Sequence, residues 1–135
     1  NMPLTVTDKD MVRYFMTIDV ASKMILESIS SAKGSEVFIL KNIGKFKILD
    51  LAISLGKYFK HKPKIKFTNK QNGEKINEKF VSKNEINFLK ETKNMYVLDF
   101  GNKYRLKNKK KIELNEKTLN QSEIIDFLKK EQVIN

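Results

Sequence analysis

The 135-residue chain has no cysteine, no tryptophan, two prolines and one histidine. Without cysteine there are no disulfides and no thiolate metal sites, and His61 alone cannot build a zinc site. A metal would need grouped carboxylates, and the sequence groups none. The five glycines, at 34, 44, 56, 73 and 101, are too scattered for a dinucleotide fingerprint or a phosphate loop. No apolar run approaches the roughly 18 residues of a membrane-spanning helix, and the N-terminus has no basic region followed by an apolar segment. The expectation is a cytoplasmic chain with no membrane span.

Arginine is also scarce. Two arginines stand against 25 lysines and 13 asparagines, so the net charge of +11 is a lysine excess. Clustered cations bind nucleic acid by releasing counterions from phosphates. Lysine excess accompanied by many asparagines and isoleucines is instead the bias of an A/T-rich genome, so nucleic acid is not the expected partner. The scarcity singles out Arg13, at the head of the run Arg13-Tyr14-Phe15-Met16-Thr17-Ile18. A guanidinium is a rigid fork of donors suited to paired phosphate or carboxylate oxygens, whereas lysine is a flexible point charge. On residue types alone, an ion pair of Arg13 with Asp8 or Asp10 is an equal alternative.

Periodicity predicts the elements. Residues 2–7 read as a short strand, followed by a turn at Asp8-Lys9-Asp10. Thr17 as N-cap with Asp19 in the first turn starts a helix whose Ile18, Ala21, Ile25 and Ile29 recur at helical spacing, which places Arg13 at the helix mouth. Residues 36–40, apolar on both faces, predict a buried strand. Asn42-Ile43-Gly44-Lys45 predicts a turn. Ile48, Leu51, Ala52, Leu55 and Phe59 predict one face of a second helix, ended at the latest by Pro63. Lys64-Ile65-Lys66-Phe67 alternates as a half-exposed strand. Between Asp50 and Glu74 lie six lysines and His61 with no acid, which reads as a solvated face. A loop around Gly73 follows, then apolar anchors at Ile76, Phe80 and Val81. Residues 84–94 read as a short helix or structured loop, 95–98 as a strand, and 102–111, with Arg105, as an exposed basic hairpin or loop. Asn120 with Glu123 forms a capping-box start for a closing helix anchored by Ile124, Phe127 and Leu128. No repeat or linker divides the chain, which reads as a single domain over residues 1–135.

No motif carries a complete reaction. Tyr58 and Lys62 match a Tyr-x-x-x-Lys spacing, but lysine is abundant enough to supply it by chance, and the match straddles a helix end before Pro63. What remains is binding: Arg13 for a diphosphate, and Glu74 for sugar hydroxyls, against the plainer reading of Glu74 as a solvated loop carboxylate.

Pro-Leu-Thr-Val-Thr-Asp at 3–8, Met-Val-Arg-Tyr-Phe-Met-Thr-Ile at 11–18, Gly-Ser-Glu-Val-Phe-Ile-Leu at 34–40 and Lys-Ile-Leu-Asp-Leu-Ala at 47–52 resemble, in order and spacing, the C-terminal part of the CapD-like polysaccharide biosynthesis proteins. These are extended short-chain dehydrogenases that act as UDP-N-acetylglucosamine 4,6-dehydratases. Gly73-Glu74-Lys75-Ile76-Asn77-Glu78 resembles a loop that in the family reads Arg-Pro-Gly-Glu-Lys-Leu-His-Glu. The resemblance implies an α/β fold, a small mixed sheet with about three helices, forming the C-terminal substrate-binding subdomain of an extended short-chain dehydrogenase without its Rossmann domain.

It further implies that NADP and the catalytic groups belong to the missing N-terminal half, so that this chain holds no catalytic, cofactor or metal residue and is inactive alone, whether an excised piece or a split or truncated gene product. The complete enzyme would move a hydride from carbon 4 of the sugar, eliminate water across carbons 5 and 6, and return the hydride to carbon 6. By the match Arg13 contacts the diphosphate of a UDP-sugar and Glu74 the ribose. The family's second phosphate-binding arginine aligns with Gln71, a neutral amide, with Lys70 beside it as a substitute charge. Expected partners are the UDP-sugar, the Rossmann domain and a possible second copy. The alternatives are a UDP-sugar 4-epimerase fragment, and a non-enzymatic basic module for nucleic acid or a protein partner.

Overall fold

The computed structural model describes residues 2–41, 43–101, 112, 114 and 117–135. The expected basic loop at 102–111, with Arg105, lies outside them. The architecture is α/β. It has strands β1 (Leu4–Val6), β2 (Val12–Phe15), β3 (Glu36–Leu40), β4 (Gly44–Lys47), β5 (Ile65–Phe67), β6 (Leu89–Glu91) and β7 (Met95–Asp99), and helices α1 (Ile18–Ser31), α2 (Ile48–Tyr58) and α3 (Gln121–Lys130). The strands form three small sheets, β1 parallel to β5, β2 antiparallel to β4, and an antiparallel β3-β7-β6.

The chain folds as two compact units, one of residues 1–17, 44–78 and 116–135, the other of 18–43 and 79–115. In the first, Phe46 of β4 packs with Ile124 and Leu128 of α3, and Phe15, Leu51, Leu55 and Phe127 close around them. Each fully buried side chain of this size contributes about 1.5–3 kcal/mol. Gly44 was expected in a turn but opens β4 opposite Phe15. A Cβ at Gly44 would lie 2.7 Å from the Phe127 ring, so the absent side chain is what admits the aromatic. Gln121 ties α3 to α2: its amide donates to Asp50 (3.0 Å), its side-chain oxygen accepts from Lys57 (2.8 Å), and its carbonyl accepts from the buried Ser54 hydroxyl (3.1 Å). The capping box is present as the sequence predicts. The Asn120 side chain accepts from the Ser122 and Glu123 amides, and Glu123 accepts from the Asn120 amide.

In the second unit β7 is the central strand, and Leu98 packs with Ile39, Val81 and Leu89. Residues 84–94 supply a short 3-10 turn, Glu85–Phe88, that runs into β6. The expectation that β3 is buried on both faces fails: the strand lies at the edge of its sheet, and neither face is fully covered among the described residues. Only Ile39 is buried, and Val37 is 48% exposed. Helix α1 starts at Ile18, directly after the expected cap, but none of its residues is buried, and Ile18, Ile25, Leu26 and Ile29 are all exposed. Phe59 likewise lies just past the end of α2 and is exposed, not part of its inner face. No helix of the described residues is long and apolar enough to cross a membrane.

Two outcomes follow from α3. Asn120→Ala removes a cap and lowers stability by about 1 kcal/mol, read from thermal unfolding followed by circular dichroism. Lys117, by hydrogen bond and charge, together with the Asn120 amide, holds the Glu123 carboxyl below its ordinary value of 4.5. A depressed carboxyl stabilises the fold above its unfolded value and loses that contribution as pH falls through the folded one. Wild type should therefore lose stability more steeply than Glu123→Gln on acidification below about pH 4.5; parallel curves would refute the linkage.

Candidate functional site

Arg13 lies inside β2, in register with Phe46 of β4, and not at a helix mouth as the sequence suggested. Residues 13 and 15 share a face of the strand, and Phe15 packs in the aromatic core, 6.0 Å from Phe46 and 6.2 Å from Phe127 between ring centroids. The arginine is therefore built on a rigid support. Neither Asp8 nor Asp10 takes it. Asp8 accepts from the Asp10 amide (2.8 Å), and Asp10 pairs with Lys47 at 2.8 Å. Hydrogen bonding to Lys47 and its charge hold the Asp10 carboxyl below its ordinary value and raise Lys47 above its own.

The guanidinium reaches the loop around Gly73. One terminal nitrogen donates to the carbonyls of Val12 and Lys75, both at 2.8 Å, and the other donates to Glu74 Oε1 at 3.2 Å. Both side chains of the pair are 26% exposed, which puts them in reach of a solute. Three of the five guanidinium N–H groups are used in these bonds, which leaves Nε–H and one terminal hydrogen for a further acceptor. The loop is also fixed through its backbone. Val12 N–H donates to Ile76 O (2.8 Å), and Val12 bridges Asn77 in parallel fashion. The Glu74 amide donates to Gln71 O (3.1 Å), and the Gln71 amide donates to Glu74 Oε2 (3.3 Å). Gly73 sits at φ +85°, a conformation that costs glycine little and a larger residue more.

Of the four residues singled out by sequence, Arg13 and Glu74 meet directly, Gln71 joins through its backbone, and Lys70 is exposed with no ion pair among the described residues. The sequence did not signal the part played by the Lys75 carbonyl, since a main-chain acceptor leaves no mark on residue type. Behind the site, buried Lys45 lies over the Tyr14 ring, 5.2 Å from its centroid. No group of carboxylates and histidines suited to a metal occurs among the described residues. Tyr58 and Lys62 form no catalytic pair: the Tyr58 hydroxyl donates to the Asn135 carbonyl, and its ring lies under Lys129. The arrangement offers fixed donors and one carboxylate, the chemistry of binding.

The sequence profile of the family described as "Polysaccharide biosynthesis protein" matches residues 1–100. The chain belongs to this family. It is 42% identical over 87 residues to the capsular polysaccharide biosynthesis protein CapD of Staphylococcus aureus, an alignment covering 62% of this chain and 14% of that protein. It is 30% identical over 95 residues to the inverting UDP-N-acetylglucosamine 4,6-dehydratase of Campylobacter jejuni, covering 70% of this chain and 27% of the relative. A UDP-glucose 4-epimerase of Rickettsia bellii is 28% identical over 141 residues, 95% of this chain and 41% of the epimerase. The fold matches the X-ray structure of Pen from Bacillus thuringiensis with a TM-score of 0.78 at 24% identity, covering 98% of this chain and 41% of that one. The chain thus spans less than half the length of each of these relatives.

If Arg13 staples the loop, Arg13→Ala should speed amide exchange at Val12 and Glu74 about 5- to 30-fold, the equivalent of roughly 1–2 kcal/mol of lost local stability. Exchange unchanged from wild type would show the staple to be idle.

Proposed function

We propose that this chain is the substrate-binding portion of a nucleotide-sugar 4,6-dehydratase of the UDP-N-acetylglucosamine type, serving surface polysaccharide or glycan synthesis. The observation that carries the reading is Arg13, with two N–H donors left over, held against Glu74 on a loop whose backbone is fixed on both sides. A diphosphate would take the remaining guanidinium donors, and the Glu74 carboxylate would accept from ribose hydroxyls. Binding energy gained there, remote from the reacting carbons, would hold the sugar in place for chemistry performed by another part of the protein.

The chain's own residues do not fit a nicotinamide cofactor, because its glycines form no glycine-rich turn between a strand and a helix. NADP and the groups that move protons are assigned to a Rossmann-type domain elsewhere in the whole protein, and alone this chain would bind without turning over. The same domain is the partner proposed for the exposed apolar face of α1. A UDP-sugar 4-epimerase is the second reading, favoured by the epimerase match over 95% of this chain. Both reactions need the same UDP clamp, and only the catalytic half separates them.

UDP binding measured by titration calorimetry tests the clamp. Arg13→Ala should weaken binding about ten- to a hundredfold, the range of a hydrogen bond to a charged group. Gln71→Arg, restoring a guanidinium beside Glu74, should tighten it about tenfold. Absence of UDP binding, or binding indifferent to both changes, would remove this assignment.

A further inference from the structure

The far end of α2 carries a feature that the clamp does not use. The chain reverses sharply there: the amides of Phe59, Lys60 and His61 donate back to the carbonyls of Leu55, Lys57 and Gly56 at 2.8–3.1 Å, with Lys60 in the left-handed region at φ +54°. Pro63 is thereby laid over Gly56 so closely that a Cβ on the glycine would lie 2.4 Å from Pro63 Cδ and 2.7 Å from the His61 carbonyl. The fold-back encloses an open groove of about 550 Å³ with almost wholly apolar walls, floored by Ile53, Pro63 and Ile65 and rimmed by Lys57, Lys60 and Lys62.

The charged residues that line it are all lysines. Lys60, Lys62, Lys64 and Lys66 are exposed and make no ion pair among the described residues. Phe59, in the same turn as Lys60, is 64% exposed. Cations ringing an apolar hollow beside a projecting aromatic match the layered chemistry of an anionic bilayer, with phosphate outside and acyl chains beneath. Lysine supplies point charges on flexible stems, which suit a fluid array of headgroups that can rearrange around them.

We infer that the face formed by the end of α2 and the following loop docks on an anionic lipid surface, with Phe59 inserted among the headgroups and Lys60, Lys62 and Lys64 paired to lipid phosphates.

The test is cosedimentation of the 135-residue chain with phosphatidylcholine vesicles with and without 30% phosphatidylglycerol, at about 0.1 M salt. Each lysine close to an anionic leaflet strengthens binding about fivefold, so replacing Lys60, Lys62 and Lys64 together with glutamine should weaken binding about a hundredfold. Phe59→Ser should weaken it severalfold even at low salt. A charge-matched triple at Lys79, Lys83 and Lys93, all exposed in the other unit, should leave it within twofold of wild type. Circular dichroism checks that each variant folds. The inference is overturned by any of three results: no preference for anionic vesicles, equal loss in both triple variants, or a Phe59→Ser variant that binds like wild type.

Discussion

The pairing of β2 with β4 is the constraint on which the first unit depends. Its register sets Arg13 opposite Phe46 and Phe15 opposite Gly44, so one short ladder fixes both the aromatic core and the guanidinium. A slip of one strand by one residue would either turn Phe46 out of the core or carry Arg13 to the other face. Gly44 guards that register, because the Phe127 ring occupies the space that any side chain there would need. Core packing and site geometry are therefore a single arrangement in this unit.

The elements that the sequence announced most clearly were those whose signals are local. The capping box at Asn120 and Glu123 needs only its own turn, and it forms as read. The inner face of α2 and strand β7 also follow from their own periodicity. Strand β4 was hidden because Gly44 ordinarily marks a turn, and only the distant Phe127 explains it. The placement of Arg13 at a helix mouth overlooked that β2 intervenes before α1. Phe59 was read as an inner residue because the helical spacing continues past the point where the backbone reverses at Lys60. The family's block order singles out Arg13 and Glu74 as site residues, but their direct ion pair was not foreseen, since residue types offered Asp8 and Asp10 as the acidic partners of Arg13. Asp10 is engaged instead by Lys47 from the paired strand, and Asp8 by the Asp10 amide.

A lysine-rich chain that places one of its two arginines on a rigid strand, and ties it to a loop by two hydrogen bonds, separates two uses of positive charge. The arginine is orientated and sparing, with its remaining donors held in fixed directions. The lysines around the end of α2 are exposed and numerous. Directional hydrogen bonding and diffuse electrostatic attraction are different physical uses of charge, and the proposed ligand clamp and the proposed lipid-facing surface draw on one each.

The parallel pair β1 and β5 stands as a two-stranded sheet, so among the described residues each strand has one edge without a strand partner. Such edges invite further strands from neighbouring molecules, and Leu4 and Phe67 on this sheet are both about half exposed. Lys64 and Lys66 bracket Ile65 on β5, and charges so placed oppose the approach of a second identical edge. Lysines at this end of the molecule thus place like charges where two identical β5 edges would have to meet, which disfavours that one mode of pairing.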